Sequence, residues 1–440
     1  MGTVGIATMF NATNILILRF MTDYLGIAAA LAGLMVAFSK VYDACFDPVI
    51  GGLSDRTRTS WGRRRPYLLA GAILSGGVMV LLFNVPIFAN KTAMAGYMGL
   101  MLVLYATGYA IFNVPYLAMP AEMTDDYHER SYLMSFRVIG LSVGQSVGGF
   151  LGPALIARNG GGLQGHAVMG WVLGGIVFVA CAVCFWMTRT AHFTERHEGP
   201  RLGVLRQFTL AWANRPFRML MGAKLFQMMG GSVILSSMAF FTVHVLHDSD
   251  LTLGLMSALS TVGIIVAVPF WVRFSHRFGK RATFAVAVIL YGAIMLTWLL
   301  SKQGEPPTFQ YVRSLINGIG ASGMLLMGAS MLPDTIAYDR YRTGLRREGI
   351  FAGIYTTIEK VAFALGLGLT GVFLGAMGYV EGHNSQAFQQ PAGAITAIYL
   401  CLGVFPAILS FMSCLFLWQY DLTGEKLEAA SLHVAPSASV

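Results

Sequence analysis

The chain has 440 residues, of which 55% are hydrophobic and only 12% are charged, and its mean hydropathy is +0.63. Soluble globular proteins carry roughly 25% charged residues, so this composition excludes a soluble enzyme built around one large core. The formal net charge is +9 at pH 7, which in so apolar a chain indicates basic loops on one side of a membrane rather than binding to nucleic acid.

Twelve apolar segments follow one another along the chain, and each is long enough to cross the ~30 Å hydrocarbon layer of a bilayer. Their length and internal glycines argue against a β-barrel, whose strands have about 10 residues. We therefore predict an all-α membrane protein with twelve transmembrane helices. The first apolar segment is long enough to span the membrane, so we expect no cleavable signal peptide. It begins without a charged leader, so we expect the first helix to lack a few residues at its N-terminal end. The predicted spans are 3–22, 28–53, 66–87, 94–119, 133–156, 167–188, 217–244, 251–272, 282–300, 309–332, 349–376 and 392–418.

The basic residues predict the orientation of these helices. Of the 30 Lys and Arg residues, 21 lie in loops that share one side if both termini are cytoplasmic, and 3 lie in the opposite loops. Because cytoplasmic loops are enriched in Lys and Arg, we predict a multi-pass protein of the inner (plasma) membrane with both termini in the cytoplasm.

The longest polar segment divides the chain into two predicted bundles of six helices. The bundles are 1–189 and 217–418, joined by a cytoplasmic loop at 190–216 and followed by a polar cytoplasmic tail at 419–440, which we expect to be disordered. Two six-helix repeats with the substrate site between them near the midplane are the organisation of major-facilitator transporters.

A repeated loop supports this division. The loops after the second segment (GGLSDRTRTSWGRRRP) and the eighth (WVRFSHRFGKRAT) both place Asp or His before Arg, then Gly and a basic cluster. We predict that their side chains pair and separate as the halves move, whereas a simple positively charged loop explains the charges but not the matched glycines. The residues of this predicted conformational motif are Asp55, Arg56, Arg63, Arg64, Arg277 and Lys280.

Several charged residues lie inside the predicted helices. Arg19, Lys224 and Arg313 are near helix ends, where we expect their long side chains to reach the interface. Lys360 lies about 16 Å from the end of its helix. An unpaired charge at that depth costs at least ~2.5–3.5 kcal/mol on insertion scales, so Lys360 needs a partner or a water-filled cavity. No role is predicted for His166, His244 and His247, near the outer boundary.

Asp43 and Asp47 supply the obvious partner for Lys360. Their four-residue spacing puts both carboxylates on one face of the second helix. Two neighbouring carboxylates in a low dielectric do not easily both stay charged, so a proton or a cation between them is expected, and their oxygens suit a small hard cation. Two alternatives remain: Asp47 caps a helix broken at Pro48, or Asp43 and Lys360 form a permanent structural bridge.

Further polar residues in the helices suggest a sugar cavity, because sugars need paired hydrogen bonds and a flat apolar surface. Each of them can instead form a helix–helix hydrogen bond worth ~0.6 kcal/mol. This alternative applies most strongly to Asn11. The sequence has no nucleophile or metal constellation, so we expect no enzyme, no metal and no cofactor. The predicted substrate-binding residues are Asn11, Asn14, Tyr109, Asn113, Tyr116, Arg137, Thr356 and Lys360.

Three stretches carry a resemblance to a known family. YDACFDP, GGLSDRTRTSWGRRRPYLL and MLPDTIAYDRYRTGLRREGIFAGIYTTIEKVAFALG resemble the glycoside–pentoside–hexuronide:cation symporter family, to which the melibiose carrier belongs. The resemblance implies that the cation pair is Asp43 and Asp47 with Thr356 beside them. It also implies that Lys360, Arg137 and Tyr109 act in coupling or substrate binding.

The departures from the family pattern concern the sugar pocket and the cation. Two acidic sugar-binding positions of the melibiose carrier correspond to Ala7 and Asn113, and an aromatic position corresponds to Leu325. The resemblance therefore implies a retained coupling site with a different sugar specificity. An Asn beside the cation pair is replaced by Phe46, which favours H⁺ over Na⁺.

The sequence thus predicts a secondary transporter that imports a glycoside, pentoside or hexuronide by symport with H⁺ or Na⁺. Arg137 and Lys360 would tolerate an anionic substrate such as a uronide. The expected partners are a small-molecule sugar, the coupling cation and the lipid bilayer, with no nucleic acid, and we expect a monomer. Two alternatives are a proton-coupled exporter of amphipathic compounds, which 29 Phe and 25 Met residues keep open, and a lysolipid-like carrier.

Overall fold

The structure is a computed structural model that describes residues 1–86, 88, 90–123, 127–190, 212–343, 348–382, 389–423 and 425–428. In this part of the chain every regular element is a helix, and twelve helices are long and apolar enough to cross a membrane. The predicted fold class, all-α with twelve spanning helices, is confirmed. In chain order the helices are α1 (Gly2–Tyr24), α2 (Ala29–Arg56), α3 (Arg65–Phe83), α4 (Lys91–Met119), α5 (Phe136–Arg158), α6 (Gly162–Met187), α7 (Arg215–His244), α8 (Asp250–Phe278), α9 (Lys280–Leu300), α10 (Pro307–Thr343), α11 (Ile350–Ala376) and α12 (Ala392–Gln419).

The helices pack mainly within two groups. In the first half, α3 packs against α4 and α6, and α1 packs against α5 and α6. In the second half, α7 packs against α11 and α12, and α10 packs against α8 and α9. The predicted linker 190–216 and tail 419–440 lie largely outside the described residues, so the domain boundaries stay a prediction.

Helices α8 and α9 leave almost no loop between them. The basic segment after the eighth span, predicted as a loop, is helical except for Gly279, which joins the two helices with φ of 80°. The prediction of a longer loop is wrong because one residue makes the turn. Glycine adopts positive φ at little cost, so it allows so sharp a connection.

Helix α10 also extends beyond its predicted end. It continues through Pro333 to Thr343, whereas the predicted span ends at residue 332. At this turn the Lys280 ammonium donates to the Ser330 carbonyl at 3.2 Å and to Asp334 Oδ2 at 2.6 Å. These contacts hold the start of α9 against the turn of α10 at which the proline lacks a backbone N–H.

The two halves touch most closely where α2 runs antiparallel to α11. A Cβ placed on Gly33 would lie 2.7 Å from Gly371 Cα, so only glycine allows the backbones this close. By the same register Gly353 lies opposite Gly51, yet a Cβ on Gly353 would meet nothing within 4 Å. We call the end with the 57–64 loop the basic end. The halves are therefore in contact at the opposite end and separate towards the basic end.

Candidate functional site

Lys360 of α11 bridges the two carboxylates of α2. Its Nζ lies 2.7 Å from Asp43 Oδ2 and also contacts Asp47 Oδ2. Helix α2 exposes apolar side chains such as Phe38 and Val41 on one face, and its opposite face carries the two aspartates because they are four residues apart. The exposed fractions are 8% for Asp43, 28% for Asp47 and 18% for Lys360. The structure thus brings Lys360 together with the two aspartates, the partners that the sequence predicts for it.

The pairing of these carboxylates is incomplete. Asp43 Oδ1 and Asp47 Oδ1 are buried and accept no hydrogen bond from any described residue. A buried acceptor without a donor costs free energy, so each oxygen favours a proton or a cation. The Lys360 ammonium already holds the position between the carboxylates that such a cation needs. The site can therefore exchange one positive charge for another.

A second ammonium lies beside the pair. Lys40 Nζ is 4.7 Å from the centroid of the Phe10 ring and 5.3 Å from that of Tyr105, and its side chain is buried. Aromatic faces attract a desolvated ammonium. Asp43 and these side chains line one narrow cavity, so Lys40 adds positive charge next to the carboxylates.

Helices α4 and α5 bring several predicted substrate-binding residues together. Lys360 Nζ lies 5.9 Å from the centroid of the Tyr109 ring, and Asn113 is half-buried one turn further along α4. Arg137 is half-buried on α5, and the Tyr116 hydroxyl of α4 lies 2.8 Å from Thr3 Oγ1. Arg137 forms no ion pair within the described part of the chain. It remains available to an acidic group.

Three other predicted residues are engaged elsewhere. Asn11 Nδ2 donates to the Gln145 carbonyl at 2.7 Å and links α1 to α5. Asn14 is fully buried, and its Nδ2 donates to the Phe10 carbonyl at 2.7 Å. Thr356 Oγ1 donates to the Gly353 carbonyl of its own helix at 3.0 Å, and its side chain is exposed one turn from Lys360. Their roles as ligands stay predictions.

The predicted conformational motif divides into paired and exposed residues. Arg64 Nη2 lies 2.8 Å from Asp55 Oδ1, and Arg64 Nη1 donates to Ser54 Oγ at 3.0 Å. In the second half the corresponding contact is the one between Lys280 and Asp334 described above. Arg56 and Arg277 are exposed and Arg63 is half-buried. Both pairs lie at the basic end.

Sequence reasoning missed an ion pair between α7 and α11. Lys224 Nζ lies 3.2 Å from Glu359 Oε1, and the Lys224 side chain is only 2% exposed. The prediction that Lys224 reaches the membrane interface is wrong, because a carboxylate on the neighbouring helix compensates its charge in the interior. The register between two helices more than a hundred residues apart is not visible in one sequence.

A second missed network closes the opposite end. Arg19 Nη1 donates to Asp250 Oδ1 at 2.5 Å, so the prediction that Arg19 reaches the interface is also wrong. His244 Nε2 lies 3.0 Å from Asp23 Oδ2, and the Tyr379 hydroxyl donates to Asp23 Oδ1 at 2.5 Å. Burial raises the pKa of Tyr379, which keeps this donor protonated. The network joins α1 to α7, α8 and the segment after α11.

Comparisons with known proteins agree with this architecture. The sequence model of the family described as MFS/sugar transport protein matches residues 1–424. The putative glycoside/cation symporter YagG of Escherichia coli (strain K12) is 28% identical, with 98% of this chain and 92% of that protein covered. The glucuronide carrier protein homolog of the same organism is 27% identical, with 97% and 92% covered.

A solved structure shows the same fold. The crystal structure of a bacterial homologue of the human lysosomal transporter Spinster aligns with a TM-score of 0.69 over 95% of each chain, at 15% sequence identity. The family match and the twelve spanning helices make this a multi-pass protein of the plasma membrane. The chain belongs to the MFS/sugar transport protein family, and it is a sugar transporter rather than an enzyme.

Proposed function

We propose that the protein imports a glycoside-type sugar by symport with H⁺, and that Asp43 and Asp47 form the coupling site. The observation that carries this proposal is the bridge from Lys360 to both carboxylates, each of which keeps one unpaired oxygen. A relative named as a putative glycoside/cation symporter supports the same class of transport.

The bridge gives a physical route from ion binding to movement. Lys360 belongs to α11 and the two aspartates belong to α2, so the contact joins the two halves of the protein. A proton on Asp47 neutralises one carboxylate and weakens its attraction for the ammonium, and α2 is then free to separate from α11. Binding at one site thereby shifts the equilibrium between two arrangements of the halves.

The surroundings of the pair favour H⁺ over Na⁺. A proton needs one carboxylate oxygen, whereas a metal cation needs several oxygen ligands in a shell. Phe46 stacks on Tyr42 with ring centroids 5.3 Å apart and offers no oxygen. The positive charge of Lys40 beside Asp43 further disfavours a second cation.

The direction of opening fits import. The halves pack tightly at Gly33 and Gly371, whereas a Cβ on Gly353 would meet no described atom within 4 Å, which supports a cavity that opens at the basic end. With the predicted orientation this end is cytoplasmic, and the structure represents the state that releases substrate. Return to the other state requires the Arg19–Asp250 pair to separate.

Arg137 extends the proposal to the charge of the substrate. An arginine guanidinium binds a carboxylate with two parallel hydrogen bonds, and Arg137 is half-buried on α5 without an ion-pair partner among the described residues. We therefore include uronides among the expected substrates. A relative named as a glucuronide carrier homolog supports this class.

Uptake into proteoliposomes tests the proposal. A panel of labelled neutral glycosides and uronides is offered under a pH gradient without Na⁺, and separately under a Na⁺ gradient at constant pH. We expect the wild type to accumulate at least one sugar only with the pH gradient, and Asp43→Asn to bring that sugar only to equilibrium. The matched control is Asp421→Asn, because Asp421 pairs with Lys426 in an exposed position. Accumulation by Asp43→Asn equal to that of wild type contradicts the coupling role, and outward pumping of amphipathic compounds alone contradicts sugar import.

A further inference from the structure

The second half of the protein contains a polar cluster that the coupling site does not use. Lys224 Nζ lies 3.2 Å from Glu359 Oε1 and 5.2 Å from the centroid of the Tyr355 ring. The two ends of the ion pair differ in exposure, since Lys224 is 2% exposed and Glu359 is 35% exposed. The carboxylate therefore reaches open space, whereas the ammonium is enclosed by protein.

Gln227 extends this cluster by one turn of α7. It is 94% buried, and its Oε1 accepts no hydrogen bond from any described residue. Because it follows Lys224 by three residues, both side chains lie on the same face of α7. Buried amide oxygens are normally hydrogen-bonded, so Gln227 points to a donor that the described residues do not supply.

The cluster faces the space between the two halves. On α11, Glu359 shares a face with Phe363, whose ring lies 5.3 Å from Phe10 of α1, and with the exposed Thr356. On α7, the next position of the Lys224 face is Gly231, where a Cβ would meet nothing within 4 Å. Phe10 also lines the narrow cavity beside Asp43, so the Glu359 face of α11 lies towards the same space between the halves.

We infer that Gln227 and Glu359 form a second substrate subsite, in which they bind neutral hydroxyl groups of the transported sugar. This inference rests on the proposed function, and it assigns recognition of the neutral hydroxyl groups of the substrate to the second half of the protein. The Glu359 carboxylate and the Gln227 carbonyl accept hydrogen bonds from hydroxyls. Glu359 repels an acidic group, and the nearby Lys224 leaves no excess negative charge to attract a cation. An acidic group of the substrate consequently lies towards Arg137, across the cavity.

The test measures binding by the full-length protein in detergent, by thermal shift, with methyl β-D-glucoside, methyl β-D-xyloside and p-nitrophenyl β-D-glucuronide as probes. We expect Gln227→Leu and Glu359→Gln to raise the dissociation constant about tenfold, which corresponds to one lost hydrogen bond of ~1.4 kcal/mol. Gln227→Leu breaks no hydrogen bond of the side-chain oxygen, so the variant is expected to fold. Arg137→Gln should weaken only the glucuronide.

Gln310→Leu is the matched control, because Gln310 is also buried with an unpaired Oε1 but lies near the opposite end on α10. Dissociation constants of Gln227→Leu and Glu359→Gln within twofold of wild type overturn the inference. If the wild type binds none of the three probes, both the subsite inference and the proposal that the substrate is a glycoside-type sugar are contradicted. If the variants lose binding but the wild type shows no gradient-driven accumulation, the subsite stands and the symport proposal fails.

Discussion

Two clusters of charged side chains join the halves of this protein, and they differ in how completely their members are paired. At the opposite end, Asp250 accepts from Arg19 with both oxygens, at 2.5 and 3.2 Å, and Asp23 has a partner on each oxygen. In the central cluster, Asp43 and Asp47 each have one oxygen on Lys360 and one without a partner.

Exposure separates the two clusters in the same way. The Arg19 and Asp250 side chains are 3% and 9% exposed. In the central cluster Asp43 is equally dry at 8%, but Lys360 and Asp47 reach 18% and 28%. A dry cluster whose carboxylate oxygens all have partners holds one arrangement of the helices. A half-paired cluster that solvent can reach is able to accept an ion. The comparison therefore assigns closure to the opposite end and coupling to the centre.

The largest expected effect comes from Lys360→Met. It leaves two carboxylates side by side without their ammonium, and breaking a buried pair by removing one partner costs ~3–5 kcal/mol. We expect a markedly lower melting temperature and no accumulation of sugar. Adding Asp47→Asn should recover part of the thermal stability but none of the accumulation. If Lys360→Met alone is as stable as wild type, the bridge contributes little to the thermal stability of the protein.

Arg19→Met tests the closure assigned to the opposite end. Asp250 then loses its buried partner, and we expect this end to open more often and the melting temperature to fall by somewhat less than in Lys360→Met, because Tyr24 and His166 remain nearby. The double variant Arg19→Met/Asp250→Leu removes both charges and should be more stable than Arg19→Met alone. Loss of coupling with normal stability in Arg19→Met would reverse the assignment of the two clusters.

Gly33→Ala probes the closest contact between the halves. The added methyl group would lie 2.7 Å from Gly371 Cα, and such overpacking costs ~1–3 kcal/mol in the closed state. We expect sugar counterflow to slow by about tenfold, since every cycle passes through this contact. Gly353→Ala is the control, because its added methyl group would meet nothing within 4 Å. Equal slowing of counterflow in both variants would contradict the claim that the contact between Gly33 and Gly371 forms in every cycle.

Thr356→Val is expected to have the smallest effect. The resemblance to cation symporters implies that Thr356 is a cation ligand, but its hydroxyl donates to the Gly353 carbonyl and its side chain is exposed. We expect accumulation within about twofold of wild type, since a bond of this kind contributes only ~1 kcal/mol. Complete loss of accumulation, as expected for Asp43→Asn, would place the hydroxyl in the coupling site.

The features that the sequence predicts are those with a one-dimensional signal. Length and hydropathy predict twelve spans, and the depth of Lys360 with the spacing of Asp43 and Asp47 predicts their association. The ends of α8 and α10 were missed because glycine and proline commonly occur in loops. Here Gly279 forms a one-residue turn after α8, and Pro333 lies inside α10.

The features that the sequence hides depend on which helices are neighbours. Lys224 and Glu359 each look like an isolated charge, and only the register of α7 against α11 makes them a pair. His244 looks ordinary at the end of its helix until Asp23 and Tyr379 are seen beside it. Pairing across helices depends on how the helices pack, and a single sequence does not reveal this packing.

The most direct test of the central claim follows proton movement when sugar enters vesicles down its own gradient in a weakly buffered medium without Na⁺. For the wild type we predict that the medium becomes alkaline as sugar is taken up. For Asp47→Asn we predict sugar entry without a change in pH. Proton uptake that persists in Asp47→Asn, or sugar entry through the wild type with no proton movement, would contradict the account.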